Sequence, residues 1–190
     1  GDLTAFTFLT HFELVHLFEK TVSLPTSVVS LKVSGMAKFA AITGTEQLTH
    51  LELDNPSVHI NTCPNLCSLR VAHYTTGTDF PCSILQTTMT HLTQLTLQRW
   101  WFNVVESMPP SVRVLRMEDT WVDEPSCPFP TAPNLEELWL SFKDEKFPQL
   151  DLSHLTRLTS LYLRGCEATD LPVSLRRCFL EDVIGEVAAL

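Results

Sequence analysis

Leu135-Glu136-Glu137-Leu138-Trp139-Leu140 is followed, 23 residues further on, by Leu158-Thr159-Ser160-Leu161-Tyr162-Leu163. Both read apolar-x-x-apolar-x-apolar. The pattern occurs seven more times, at Leu9-Phe12-Leu14, Val28-Leu31-Val33, Leu48-Leu51-Leu53, Leu66-Leu69-Val71, Leu92-Leu95-Leu97, Val112-Leu115-Met117 and Leu175-Cys178-Leu180. All 27 defining positions are apolar and 20 are leucine. The copies start 19, 20, 18, 26, 20, 23, 23 and 17 residues apart, a period that marks stacked repeats.

Strand geometry gives the pattern its meaning. Side chains alternate along a strand, so the fourth and sixth positions point one way, into a core, and the third, fifth and seventh point the other. A single copy cannot bury its own leucines, so neighbours must stack. All 12 prolines fall between the patterns and none inside one. Proline has no N–H for a ladder, and its exclusion marks the patterns as paired strands. Segments such as Ser23-Leu24-Pro25-Thr26-Ser27 and Asp170-Leu171-Pro172-Val173-Ser174 read as turns into the next strand. Units of about 20 residues leave little room for a helix on the return side. Returns are therefore expected to be irregular or 3₁₀, with a short helix fitting only in residues 66–91 and 103–108.

The expected domain is a single one over residues 1–190. Residues 1–8 form a rudimentary N-terminal cap or the end of a preceding repeat, 9–180 hold nine repeats, and 181–190 form a tail. Strands about 4.8 Å apart would span on the order of 40 Å. The chain starts at Gly1 without methionine, which is read as a processed product or an excised fragment. Breakers interrupt every apolar run well short of the ~20 residues a membrane-spanning helix needs. A net charge of −9 argues against nucleic acid as a partner, because phosphate binding rests on clustered Lys and Arg.

Six cysteines could make three disulfides, but their placement points elsewhere. Cys178 holds a core position and Cys166 an inward-turning one, so both are expected to be buried, slow-reacting thiols. Cys63, Cys67, Cys82 and Cys127 lie in or beside return segments at irregular spacing. A reducing location, cytoplasmic or nuclear, is favoured, with a secreted or surface setting as the alternative.

The whole chain resembles the leucine-rich-repeat family through its L-x-x-L-x-L heads. Cys63-Pro64-Asn65-Leu66 and the unit ending Leu163-Arg164-Gly165-Cys166 resemble the cysteine-containing repeats of F-box-type receptors, and Pro133-Asn134-Leu135 echoes the first. The Leu-Pro-x-Ser entries at Leu24 and Leu171 are more similar to the irregular repeats of protists or bacterial effectors. The family's fold class is an α/β repeat, a horseshoe solenoid, here with one parallel sheet of about nine strands. The resemblance implies a recognition scaffold that binds another macromolecule through its concave inner sheet or adjoining loops.

A search for chemistry finds little. The six glycines are dispersed and form no phosphate loop, and no Gly-x-Ser-x-Gly or His-Glu-x-x-His occurs. His11 and His50 share the third position two strands apart, and Asp151 near His154 reads as a turn. Cys63-x-x-x-Cys67 with Cys82 is too irregular for a metal. No enzyme activity, cofactor or metal is expected.

The register also writes out a surface. Its mid-strand fifth positions are Glu13, Lys32, Glu52, Arg70, Thr96, Arg116, Trp139, Tyr162 and Phe179. The first four alternate in charge and read as a self-satisfying ladder. The last three are aromatic, and aromatic residues beside arginine are enriched at binding hot spots. The expected partner-binding residues are Trp139, Tyr162 and Phe179 with Arg116, Glu137, Arg164 and Arg177, unless the tail at 185–190 folds over them. Trp100, Trp101, Phe102 and Trp121 form a second concentration, in which Trp100 reads as core and Trp101 as exposed. The expected function is non-catalytic protein–protein interaction by a monomer, unless exposed solenoid ends pair. The alternatives are a substrate-recognition part of a ubiquitin-ligase-like or effector protein and a receptor ectodomain.

Overall fold

The computed structural model describes residues 3, 5–15, 21–35, 40–54, 58–60, 62–72, 89–100, 108–122, 129–143 and 148–184. The chain divides into two compact units, Gly1–Thr93 and Gln94–Leu190. In the first, His11–Val15 (β1), Ser30–Ser34 (β3), His50–Leu53 (β5) and Ser68–Ala72 (β7) pair in parallel, in that order. Between them Thr21–Ser23 (β2), Ala40–Thr43 (β4) and Val58–Ile60 (β6) form a second parallel sheet. In the other unit Gln94–Gln98 (β8), Val114–Thr120 (β9), Glu137–Phe142 (β10), Ser160–Arg164 (β12) and Arg177–Glu181 (β14) pair in parallel. Gln149–Asp151 (β11) pairs with Glu167–Asp170 (β13) on the return.

Each of the nine patterns thus carries a strand, and the fold is a parallel-sheet repeat solenoid. The α/β class is corrected: the described residues contain no helix, and their returns are short strands and irregular turns, with no 3₁₀ helix among them. Short units are the reason. A return of a few residues can pair with the return of the next repeat only as a strand. The stretches 73–88 and 101–107, where a helix had room, lie outside the described residues. Among the described residues no helix is long and apolar enough to cross a membrane.

In the seven inner patterns all 21 defining side chains are buried, none more than 3% exposed. Each fully buried leucine contributes about 1.5–3 kcal/mol. The first and last patterns differ. Phe12 and Leu14 are half-buried, and Cys178 is exposed. That corrects the expectation of a buried Cys178: among the described residues β14 pairs within its sheet only with β12, and no further described strand covers its core-facing row. Cys166 is buried as expected, and burial pushes its thiol up to about 12. Of residues 1–8, Leu3 donates its amide to Ser23 O and Phe6 O accepts from Ser27 Oγ. Phe6 and Phe8 are 59% and 95% exposed, although the Phe6 carbonyl accepts the Leu9 amide.

Two further features recur along the repeat. The first is a turn. In every pattern the first residue's amide donates to the carbonyl three residues earlier, as in Val28 to Pro25, Leu66 to Cys63 and Leu175 to Pro172. That earlier residue is buried in Pro25, Thr45, Cys63, Met89, Pro109, Ala132, Leu155 and Pro172, so it is a fourth core position. The residue just before the pattern ties the turn to the previous repeat. Ser27 Oγ donates to Leu9 O at 2.8 Å and Ser174 Oγ to Leu158 O at 2.7 Å. Asn65 Nδ2 donates to Glu46 O at 2.8 Å and Asn134 Nδ2 to Pro110 O at 2.7 Å. This is the local role of the Leu-Pro-x-Ser and Pro-Asn-Leu motifs.

The second feature is a corner at the eighth position. Gly35, Arg99, Asp119, Gly165 and Asp182 all have φ between 52° and 80°. This left-handed corner turns the ninth residue inward, and Trp100, Thr120 and Cys166 are buried there. At Gly165 a Cβ would lie 2.9 Å from the Phe142 carbonyl oxygen, which explains glycine. The seventh repeat lacks the corner. A bulge slips its register, so Phe142 pairs with Thr120 and fills the inward place one residue early. Lys143 consequently stays exposed.

Candidate functional site

The fifth positions of successive strands are neighbours by register. In the first unit Glu13 faces Lys32, Lys32 faces Glu52 and Glu52 faces Arg70. Lys32 Nζ lies 3.4 Å from Glu13 Oε1, and Arg70 Nη1 lies 3.4 Å from Glu52 Oε1. The Glu13 carboxylate, hydrogen-bonded to Lys32, raises the Lys32 ammonium above its ordinary value. This ladder satisfies itself, as expected.

In the second unit the column reads Arg116, Trp139, Tyr162 and Phe179, each paired with the next by strand register. The Trp139 and Tyr162 rings stack at 3.6 Å between centroids and 11° between planes. Tyr162 and Phe179 follow at 5.1 Å and 5°. Parallel pairing dictates this: side chains at one position of adjacent strands project side by side, about 4.8 Å apart. Trp139 and Phe179 remain 40% and 55% exposed. The tail at 185–190, which was considered as a cover for the rings, lies outside the described residues.

The two flanks of the ring column differ. On the seventh-position side, Tyr162 Oη donates to Glu181 Oε2 at 2.7 Å. The same carboxylate lies 3.7 Å from Arg164 Nε, and Asp182 lies 4.0 Å from it. The hydrogen bond to Glu181, with burial second, raises the Tyr162 phenol above its ordinary value. Arg164 was expected to offer its charge to a partner; it spends part of it on Glu181 and Asp182. Glu181 was not singled out from sequence. The signal was present, because the register places Glu181 opposite Arg164.

On the third-position side the column is Val114, Glu137, Ser160 and Arg177. Glu137 and Arg177 are exposed, and among the described residues neither makes an ion pair. A shallow trough of about 430 Å³ runs along this flank, with the three rings as its wall and Ser160 and Arg177 beside them. Arg116 is exposed next to Trp139. The structure therefore gathers seven of the expected site residues on one face of one sheet.

The eighth, Trp101, lies outside the described residues, as does Phe102. Trp100 is buried, as expected of core. Trp121 is half-buried, with Lys143 Nζ 6.0 Å from its ring centroid. His11 and His50 each lie against the preceding threonine, with Thr10 Oγ1 3.0 Å from His11 Nδ1 and Thr49 Oγ1 2.8 Å from His50 Nδ1. No set of three or more metal-ligating side chains converges among the described residues.

No protein-family model matches the chain, and a search of curated proteins returns no match.

Proposed function

We propose that this chain is a non-catalytic protein-interaction module of the leucine-rich-repeat kind. It binds a partner protein through the Trp139–Tyr162–Phe179 face. One observation carries the reading: three large rings are stacked on paired strands with Trp139 and Phe179 40% and 55% exposed. Apolar area costs free energy in water, and a contiguous exposed patch marks an interaction surface. The rings are pre-ordered by their strands, so little side-chain freedom is lost on binding. Tryptophan, tyrosine and arginine are the residues that dominate interface energetics.

The test places a photo-crosslinking amino acid at position 139, with position 52 of the self-paired ladder as the control. A discrete protein adduct at 139 and none at 52 is the expected result. Trp139→Ala should then weaken binding of that protein by about 2 kcal/mol or more. Leu138→Ala, whose side chain faces the core, should instead destabilise the fold by about 2–5 kcal/mol. Equal crosslinking at both positions, or unchanged binding by Trp139→Ala, would remove the ring face as the interface.

A further inference from the structure

We infer that the trough beside the rings selects an extended acidic peptide segment, with its carboxylate at the Arg177 end. This rests on the protein-interaction reading and deepens it.

The stacking geometry comes first. Tyr162 is sandwiched, with Trp139 on one face and Phe179 on the other, at interplanar angles of 11° and 5°. The faces between rings are therefore consumed. A ligand lying along the column in the trough meets ring edges. An aromatic quadrupole is negative on its face and positive at its edge, so this wall favours electron-rich oxygen. Sugars stack through C–H groups on ring faces, and inside the stack those faces are covered.

Charge on the two flanks gives the second argument. Across the rings, Arg164 is engaged by Glu181 and Asp182. In the trough, the Arg177 guanidinium makes no ion pair among the described residues, and the Ser160 hydroxyl stands on the neighbouring strand. A guanidinium with a hydroxyl beside it matches a carboxylate in geometry as well as sign. Glu137 lies one strand beyond Ser160 in the same column and repels an acid at that end. The carboxylate is thus confined to the Arg177 half, and apolar side chains of the segment pack against the ring edges.

The probes are three fluorescein-labelled, end-capped peptides, Leu-Asp-Asp-Leu, Leu-Gln-Gln-Leu and Leu-Lys-Lys-Leu, titrated by anisotropy, with cellohexaose as a sugar competitor. The acidic peptide should bind about fivefold tighter than the neutral one, and the basic one weakest. Arg177→Gln should erase that preference. Glu137→Gln should strengthen acidic binding by about two- to threefold, a gain that misfolding cannot mimic. Raised salt should reduce the preference. Equal binding of acidic and neutral peptides, lost in Trp139→Ala, would overturn the acidic selection while leaving the ring face as a protein site. Failure of the acidic peptide to bind at all would overturn the inference, and the crosslinking result at position 139 would still stand on its own. Displacement of the peptides by cellohexaose would overturn both readings.

Discussion

Phe142 lies opposite Thr120, although it stands one place earlier in its own repeat. Their pairing marks where the solenoid absorbs a one-residue slip without losing its core. Phe142 is 6% exposed and Thr120 is fully buried. Phe142→Ala should therefore cost about 3–5 kcal/mol, whereas Lys143→Ala, in the place the repeat numbering would make inward, should cost little. The Thr120 hydroxyl meets no hydrogen-bond partner among the described residues. Thr120→Val keeps the shape and removes that polar atom, and should stabilise by about 1 kcal/mol. Denaturant melts of the three variants check all of this.

Gly165→Ala should destabilise by about 1–3 kcal/mol, because its left-handed φ and the Phe142 carbonyl both oppose a side chain. Gly165→Asn should be milder, since asparagine tolerates that backbone region better. Equal losses would show that the contact with Phe142 dominates over the torsion.

Ser174→Ala deletes one hydrogen bond that ties a repeat to the previous one, and Asn134→Ala deletes two, its own to Pro110 O and the one it accepts from Arg157 at the surface. Each should lower stability by about 1 kcal/mol, and the two should add because their sites share no partner. Ser153→Ala serves as the contrast. Its hydroxyl bonds only the nearby Asp151 carboxylate, 2.6 Å away at the surface.

The thiols should separate by reactivity. Cys166 is buried and pushed to about 12, so almost none of it is thiolate near neutral pH. Cys178 is exposed, with a smaller upward shift from partial burial. Native alkylation followed by peptide mass spectrometry should label Cys178 first and Cys166 only on unfolding. Comparable labelling rates would mean that the ninth-position corner opens readily.

Tyr162 should leave a mark in alkaline titration. Its folded pKa is raised, so the folded state holds the proton more tightly than the unfolded chain. Its share of stability is complete below the ordinary phenol value of about 10 and is lost as pH rises through the folded one. The stability of wild type should fall more steeply in that range than that of Tyr162→Phe. Matching pH curves would show that the Glu181 contact contributes nothing in solution.

The strands were legible because burial of alternate side chains forces apolar residues into fixed positions, and leucine at 20 of 27 of them repeats the signal. The ring stack was legible for the same reason, since register alone makes Trp139, Tyr162 and Phe179 neighbours. The buried turn position was not. Pro25, Thr45, Cys63 and Met89 satisfy it equally, because the turn needs a carbonyl and a side chain that fits, and many residue types meet that demand. The slip at Phe142 was invisible because Lys143 occupies the ninth place by count, and only the backbone bulge moves it outward. Cys178 has the sequence position of a core residue. What sequence lacked was the observation that, among the described residues, β14 has a strand on one side only.

Seven side-chain ties at the turns run from the later repeat to the earlier one. Ser27, Asn65, Asn134 and Ser174 all reach back to carbonyls of the preceding repeat, and the hydroxyls of Thr49, Thr93 and Thr159 do the same. In these seven the later repeat brings the donor and its predecessor the acceptor, whereas Thr45, Arg113 and Tyr162 donate forward, to Thr62 O, Glu136 and Glu181. Peeling repeats from the β14 side would strand carbonyl oxygens, which tolerate incomplete pairing. Peeling from the β1 side would free these hydroxyl and amide donors instead, at a surface where water can meet them. These turn ties thus give each junction they span a polarity, donor side late and acceptor side early, which the forward bonds of Thr45, Arg113 and Tyr162 partly offset.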